Sequence, residues 1–208
     1  MSQAPNSEII IVDDDPAVRD ALSVVFSLEG YHVTSFSDGQ SLLNAARSRT
    51  PACILLDVHM PGRSGLDILK ELNAQDYDAP IFIISGQGDI PMAVDAIKNG
   101  ALDFIEKPFD AVTVVSLVRH AIDAWQRRKQ PSQASDLMSI QFPGRDALTP
   151  REREVLTQIA SGSSNKEAGR QLGISPRTIE VHRARIMEKL GAKNAADLVR
   201  IVMTESGH

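Results

Sequence analysis

Covalent cross-linking is the first thing this chain lacks. It has a single cysteine among 208 residues, so no internal disulfide can staple it. Cys53 lies inside an apolar run and is read as a packed core thiol. Long apolar runs are missing too: the longest fall well short of the roughly 20 residues that a membrane helix needs, which excludes a helical span. The opening stretch from Met1 to Asn6 has no basic segment followed by an apolar one, so the expected location is the cytoplasm. Internal repeats and low-complexity tracts are absent, which excludes solenoid and array architectures. Positive charge is also short, the net charge being −5.

That deficit is uneven. Residues 1–125 hold 8 Lys and Arg against 18 Asp and Glu, residues 126–145 hold 4 against 1, and residues 146–208 hold 10 against 8. An acidic first part joined to a mildly basic tail suits cation handling in front and an anionic partner behind. With 42% hydrophobic and 24% charged residues, the composition is that of a globular protein, and the length allows two modest domains with separate cores.

What is present is a set of apolar runs that each end in one polar group. Ile9-Ile10-Ile11-Val12 ends in Asp13-Asp14-Asp15, Cys53-Ile54-Leu55-Leu56 in Asp57, and Ile81-Phe82-Ile83-Ile84 in Ser85; Lys107-Pro108 follows the run at 102–105. A weaker run spans Val33 to Phe36. Helical patterns separate the runs near 16–29, 39–48, 65–74, 90–99 and 111–125, the last placing Val114, Val115, Val118, Ile122 and Trp125 at helical spacing. Five strand-then-helix repeats argue for a parallel sheet covered by helices on both faces, with the flavodoxin-like strand order 2-1-3-4-5.

Composition shifts after residue 125. Residues 126–146 are read as a linker whose start can continue the fifth helix, with a turn signal at Phe142-Pro143-Gly144-Arg145. Residues 147–208 are helical throughout. Thr149-Pro150 with Glu152 marks a capped helix start, Ser161-Gly162 its end, and Asn165 to Leu172 a short second helix. Ser175-Pro176 opens a third helix that runs to Gly191, and a fourth runs from about Asn194 to Met203. The expected fold is a five-stranded parallel α/β domain over 1–125 followed by a small all-α domain.

In an open α/β sheet the carboxyl ends of the strands lie together, and ligands bind along that edge. An acid cluster, a lone acid, a hydroxyl and a lysine meeting there can hold a divalent cation and a phosphoryl group. Mg²⁺ takes one or two carboxylates with several waters and phosphate oxygens, and Mn²⁺ is the alternative ion. Asp14 and Asp57 are the expected direct ligands, with Asp13 acting through water and the backbone carbonyl of His59 as a further oxygen. Asp57 is then the nucleophile toward phosphorus, Lys107 the charge on the phosphoryl oxygens, and Ser85 a hydrogen-bond donor once phosphate arrives. Taken singly, a run of acids is more often a solvated face, and an Asp at a strand end more often a cap.

Residues 165–190 form a helix-turn-helix pattern through Gly173-Ile174-Ser175. Its second helix carries Arg177, Arg183, Arg185 and Lys189, and would turn Ile179, Ile186, Met187 and Leu190 to the core. Glu180, Val181 and Ala184 are left for solvent or DNA. By itself such a helix is as commonly an ordinary amphipathic surface helix.

Val12-Asp13-Asp14-Asp15, Leu56-Asp57-Val58-His59-Met60-Pro61-Gly62, Ile84-Ser85-Gly86 and Asp103-Phe104-Ile105-Glu106-Lys107-Pro108-Phe109 together resemble the receiver domain of two-component response regulators. Gly86-Gln87-Gly88-Asp89-Ile90-Pro91-Met92-Ala93-Val94 is similar to the FixJ branch. The resemblance implies phosphorylation of Asp57 by a sensor histidine kinase, Ser85 and Phe104 as a coupled switch pair, and a cis peptide bond at Lys107-Pro108. Ser85 stands where threonine is common and His59 where another side chain is usual.

Leu148-Thr149-Pro150-Arg151-Glu152-Arg153-Glu154-Val155-Leu156, Asn165-Lys166-Glu167, Leu172-Gly173-Ile174-Ser175 and Thr178-Ile179-Glu180-Val181-His182 resemble the LuxR-type DNA-binding domain. That resemblance implies a reading helix in the major groove and binding as a dimer. By position, Glu180, Val181 and Ala184 would face bases, with Lys166, Arg177, Thr178, His182 and Arg185 as backbone contacts and Arg183 on the same helix. Glu180 replaces a common lysine, and it can accept from a cytosine amino group.

Both resemblances together imply a phosphorylation-switched transcription factor, a phosphoacceptor rather than a turnover enzyme. Phosphorylation would promote homodimerisation and binding to double-stranded promoter DNA, activation being the more usual outcome and RNA polymerase a further partner. Two alternatives stay open at this point. One is a Mg²⁺-dependent phosphatase that works through an aspartyl-phosphate, although position 59 lacks the acid it would need. The other is a constitutive DNA-binding protein whose first domain only dimerises.

Overall fold

The computed structural model describes residues 7–72, 74, 77–86, 90–129 and 148–205. Most of the expected linker, its turn signal, and the Gln87-Gly88-Asp89 part of the FixJ-like stretch lie outside these residues. The chain divides into two compact units, Met1–Trp125 and Gln126–His208.

Among the described residues of the first unit five strands alternate with five helices: β1 (Glu8–Val12), α1 (Pro16–Leu28), β2 (His32–Phe36), α2 (Gly39–Ala46), β3 (Cys53–Asp57), α3 (Gly65–Glu71), β4 (Ile81–Ser85), α4 (Ile90–Lys98), β5 (Asp103–Glu106) and α5 (Ala111–Lys129). The sheet order is β2-β1-β3-β4-β5 and every pair is parallel. This is the order expected from the sequence.

Continuous apolar runs form β1, β3 and β4 because helices cover both faces of a parallel sheet. All five residues of β3 and of β4 are buried. Cys53 is a free, buried thiol, and burial holds its pKa well above the usual thiol range. Phe26 and Leu22 of α1, Leu42 and Leu43 of α2, Ile68 and Leu69 of α3, and Val114 and Val118 of α5 complete the core. α5 runs on to Lys129, so that the first residues of the expected linker continue the fifth helix.

Among the described residues of the second unit four helices follow: α6 (Pro150–Ala160), α7 (Asn165–Leu172), α8 (Pro176–Leu190) and α9 (Ala195–Glu205). Capping boxes start α6 and α7, through Thr149 with Glu152 and through Ser164 with Glu167. Gly173 ends α7 in the left-handed region at φ 68°, a conformation that favours glycine. Gly169 lies so close to the Ile174 carbonyl that a β-carbon there would collide with it, which lets α7 and the turn pack tightly. Val155, Leu156, Leu172, Ile179, Ile186, Leu190, Leu198 and Val202 form the core of this unit. Met187, expected in that core, is half-buried. Among the described residues no helix is long and apolar enough to cross a membrane.

Candidate functional site

The carboxyl ends of β1, β3, β4 and β5 deliver their polar groups to one edge. Lys107 follows β5, and its Nζ donates to Asp13 Oδ2 at 2.7 Å and to Asp57 Oδ1 at 2.8 Å. Ser85 Oγ at the end of β4 lies 3.3 Å from His59 Nδ1. The Lys107 backbone N–H donates to the Ser85 carbonyl at 2.8 Å, which ties the ends of β4 and β5 together. The Lys107-Pro108 peptide is cis. Phe104, half-buried on β5, pairs in register with Ile83, two residues before Ser85.

The three adjacent acids divide their work. Asp13 is fully buried and accepts through both oxygens, from Lys107 and from the Asp15 amide at 3.0 Å. Asp14 is exposed. Asp15 caps α1 by accepting from the Ala17 amide at 2.8 Å, with Pro16 as the first helical residue. Asp57 is 1% exposed, and its Oδ2 has no hydrogen-bond partner among the described residues. Burial, with the charge of Asp13 added, raises the Asp57 pKa above the usual carboxylate range; Lys107 and the His59 amide act the other way. For Lys107 burial acts to lower the pKa, but the hydrogen bonds to Asp13 and Asp57 outweigh it and raise the pKa.

Asp13, Asp14 and Asp57 each bring a carboxylate oxygen within 4.8 Å of the others. Three hard oxygen donors, one of them buried and unpartnered, fit a divalent cation of the Mg²⁺ type. An uncompensated buried carboxylate oxygen is costly. A cation at this edge would relieve that cost.

Sequence reasoning missed two supports of this edge. Arg19 of α1 donates through Nη1 to the Asp13 carbonyl at 2.7 Å and the Asp14 carbonyl at 3.0 Å, which fixes the loop that carries the acids. Gly65, first residue of α3, lies directly against the Asp57 carbonyl, where a β-carbon has no room. Its N–H donates to the Val58 carbonyl at 2.9 Å.

On α8 the outer side of the first turns carries Arg177, Glu180 and Ala184, all exposed, with Val181 and Arg183 half-buried; Lys166 is exposed on α7. Three residues expected as DNA-backbone contacts are placed differently. Thr178 and His182 are 3% and 4% exposed, because they flank Ile179 and Ile186 on the inward stripe of the helix. Arg185 is directed to Glu152 of α6, Nε lying 3.6 Å from Oε1. Glu152 is fully buried and also takes the Lys189 ammonium at 2.8 Å. Burial acts to raise the Glu152 pKa, but the bonds from Lys189 and the Thr149 amide outweigh it and lower the pKa.

Against known proteins, the family described as response regulator receiver domain matches residues 9–119, and the family described as bacterial regulatory proteins, luxR family, matches residues 146–202. The transcriptional regulatory protein FixJ of Bradyrhizobium diazoefficiens is 41% identical over 196 residues, which is 94% of each chain. The response regulator protein TmoT of Ectopseudomonas mendocina is 41% identical over 94% of this chain and 87% of its own. Full-length FixJ from B. japonicum, as a crystal structure, superposes with a TM-score of 0.53 at 38% identity, covering 96% of this chain and 97% of that one.

Proposed function

We propose that this chain, which belongs to the two-component response regulators that join a receiver domain to a LuxR-type DNA-binding domain, is a transcription factor switched by phosphorylation of Asp57. As a member of that family it is a phosphoacceptor and not a turnover enzyme, which sets aside the phosphatase alternative. The observation that carries the reading is the pairing of Asp57 Oδ1 with Lys107 while Oδ2 stays unpartnered. One carboxylate oxygen is held by the lysine, and the other faces the edge where the cation and the phosphoryl group would meet.

The chemistry follows from these positions. A divalent cation held by Asp14, Asp57 and the His59 carbonyl, with Asp13 through water, would supply positive charge to the phosphoryl oxygens of the donor. The Asp57 carboxylate attacks phosphorus in line as the bond from phosphorus to the nitrogen of the donor histidine breaks, leaving an aspartyl-phosphate. Lys107, already beside Asp57, neutralises charge on the transferred group. Ser85 turns its hydroxyl from His59 to a phosphoryl oxygen, and Phe104 follows on β5. New charge-assisted bonds of this kind bias one of two loop arrangements.

The outcome is a homodimer that brings two copies of α8 onto half-sites about one helical turn apart in promoter DNA. The partners are a sensor histidine kinase and, at the promoter, RNA polymerase; the output is activation and the location the cytoplasm. Domain limits of 1–125, 126–146 and 147–208 go with this reading. Light scattering of the full chain before and after a small phosphodonor with Mg²⁺ tests it. The dimer fraction and the affinity for DNA should rise together, and neither should change in Asp57→Ala. A dimer that binds DNA equally with and without the donor would instead make the receiver a constitutive dimerisation module.

A further inference from the structure

Glu180 is an acid on the face of α8 that the reading above turns toward a polyanion. Phosphates repel it, so its presence there needs a compensating role. It is not a loose surface group. Asn165, the first residue of α7, donates through Nδ2 to Glu180 Oε1 at 3.1 Å and accepts through Oδ1 from Arg183 Nη1 at 3.2 Å. The amide orientation is fixed by chemistry, since only its donor end suits a carboxylate and only its acceptor end a guanidinium. Asn165 is itself anchored, because the Ser164–Glu167 capping box defines the start of α7. Asn165, itself held by Arg183, thus holds one oxygen of Glu180 and leaves the second able to accept.

We propose that Asn165 is a positioning residue that holds Glu180 as a fixed acceptor for the cytosine amino group of a C·G pair in the major groove. This rests on the DNA-binding reading above. Guanine shows the acceptors N7 and O6 in that groove, thymine shows O4, and adenine sets a donor beside the acceptor N7; cytosine shows a donor alone. A fixed carboxylate therefore selects cytosine as much by repelling the other edges as by bonding this one. Through Asn165, Arg183 keeps a positive charge near the acid and lessens its repulsion by the flanking phosphates. The bridge makes the preference a property of the α7–α8 pair rather than of α8 alone.

The test is selection of a randomised duplex DNA library by the full chain treated with a small phosphodonor and Mg²⁺, run on wild type, Glu180→Gln and Asn165→Asp. Wild type should enrich a C·G pair at one position of each half-site. Glu180→Gln should move that position toward adenine, which pairs an amide through N6 and N7. Asn165→Asp keeps size, helix-start chemistry and the acceptor for Arg183, but it sets a carboxylate against Glu180. It should lower the preference at that position about tenfold, or about 1.4 kcal/mol, over and above the uniform loss of affinity that the added negative charge brings to every sequence. The same base preference in all three proteins, or a loss spread evenly over all positions, would overturn the proposal. A wild type that enriches no sequence would overturn the DNA-binding reading and this inference with it.

Discussion

Acidifying the medium from about pH 7 to about pH 5 should loosen the C-terminal unit, and His182 is the group responsible. It is 4% exposed and neither ring nitrogen has a hydrogen-bond partner among the described residues. Burial, helped by the charge of Arg185 and opposed by Glu152, lowers its pKa from 6.5 to about 4. The unfolded chain therefore takes up a proton near 6.5 that the folded unit refuses until about 4, so stability rises with pH across that window. The contribution is complete above the unfolded value and is lost as pH falls toward the folded one. At about pH 5 the loss relative to pH 7 is about 2 kcal/mol, roughly a thirtyfold gain in the opened population. Glu152 does not confuse the measurement, because its lowered pKa puts its own loss below the usual carboxylate value of 4.5. Hydrogen exchange on peptides from α6 and α8 in the full chain reports this unit separately. Replacing His182 by leucine removes two unsatisfied nitrogens, so His182→Leu should match or exceed wild type at pH 7 and lose the His182 part of the acid effect. An equal fall in protection in both proteins, or a resonance assigned to the His182 imidazole that titrates near 6.5, would refute the reasoning.

Other perturbations are equally specific. Gly65→Ala forces a β-carbon into the Asp57 carbonyl; it should destabilise the first unit by about 1–3 kcal/mol and slow phosphorylation by small donors at least ~10-fold, as denaturant titration and intact mass would show. Glu152→Ala deprives Lys189 and Arg185 of their shared partner and opens the α6 capping box. It should cost about 2–4 kcal/mol in the C-terminal unit, a value at the lower end for buried pairs because both cations reach solvent; a loss under about 1 kcal/mol would show the cluster to be idle. Lys166→Ala should weaken DNA binding alike across sequences and lower the salt slope by about 1. A change in base preference would mean that Lys166 reads bases.

Much of this was legible before any coordinates. The strand ends that carry Asp13, Asp57, Ser85 and Lys107 follow from apolar runs whose continuity marks strands buried on both faces, and their meeting follows from parallel topology. The capping residues Thr149 and Glu152 declare the start of α6. What a linear pattern leaves unresolved is the division of labour among neighbours. Asp13, Asp14 and Asp15 are alike in sequence, and only the turn after β1 makes one a buried partner of Lys107, one an exposed acid and one a helix cap. Arg19 and Gly65 act through close approach to main-chain carbonyls, which no spacing reveals. The burial of His182 had a signal that polarity masked: it lies three residues after Ile179 and four before Ile186, on the same stripe. The Asn165 bridge spans 15 positions and exists only because α7 crosses α8.

Intact-protein mass spectrometry after incubation with a small phosphodonor tests the central claim most directly, with Asp57→Asn and a metal-free sample beside it. One phosphoryl group on the wild type with Mg²⁺, and none on the other two, is the predicted result. Stoichiometric labelling of Asp57→Asn would contradict the assignment of Asp57 as the acceptor.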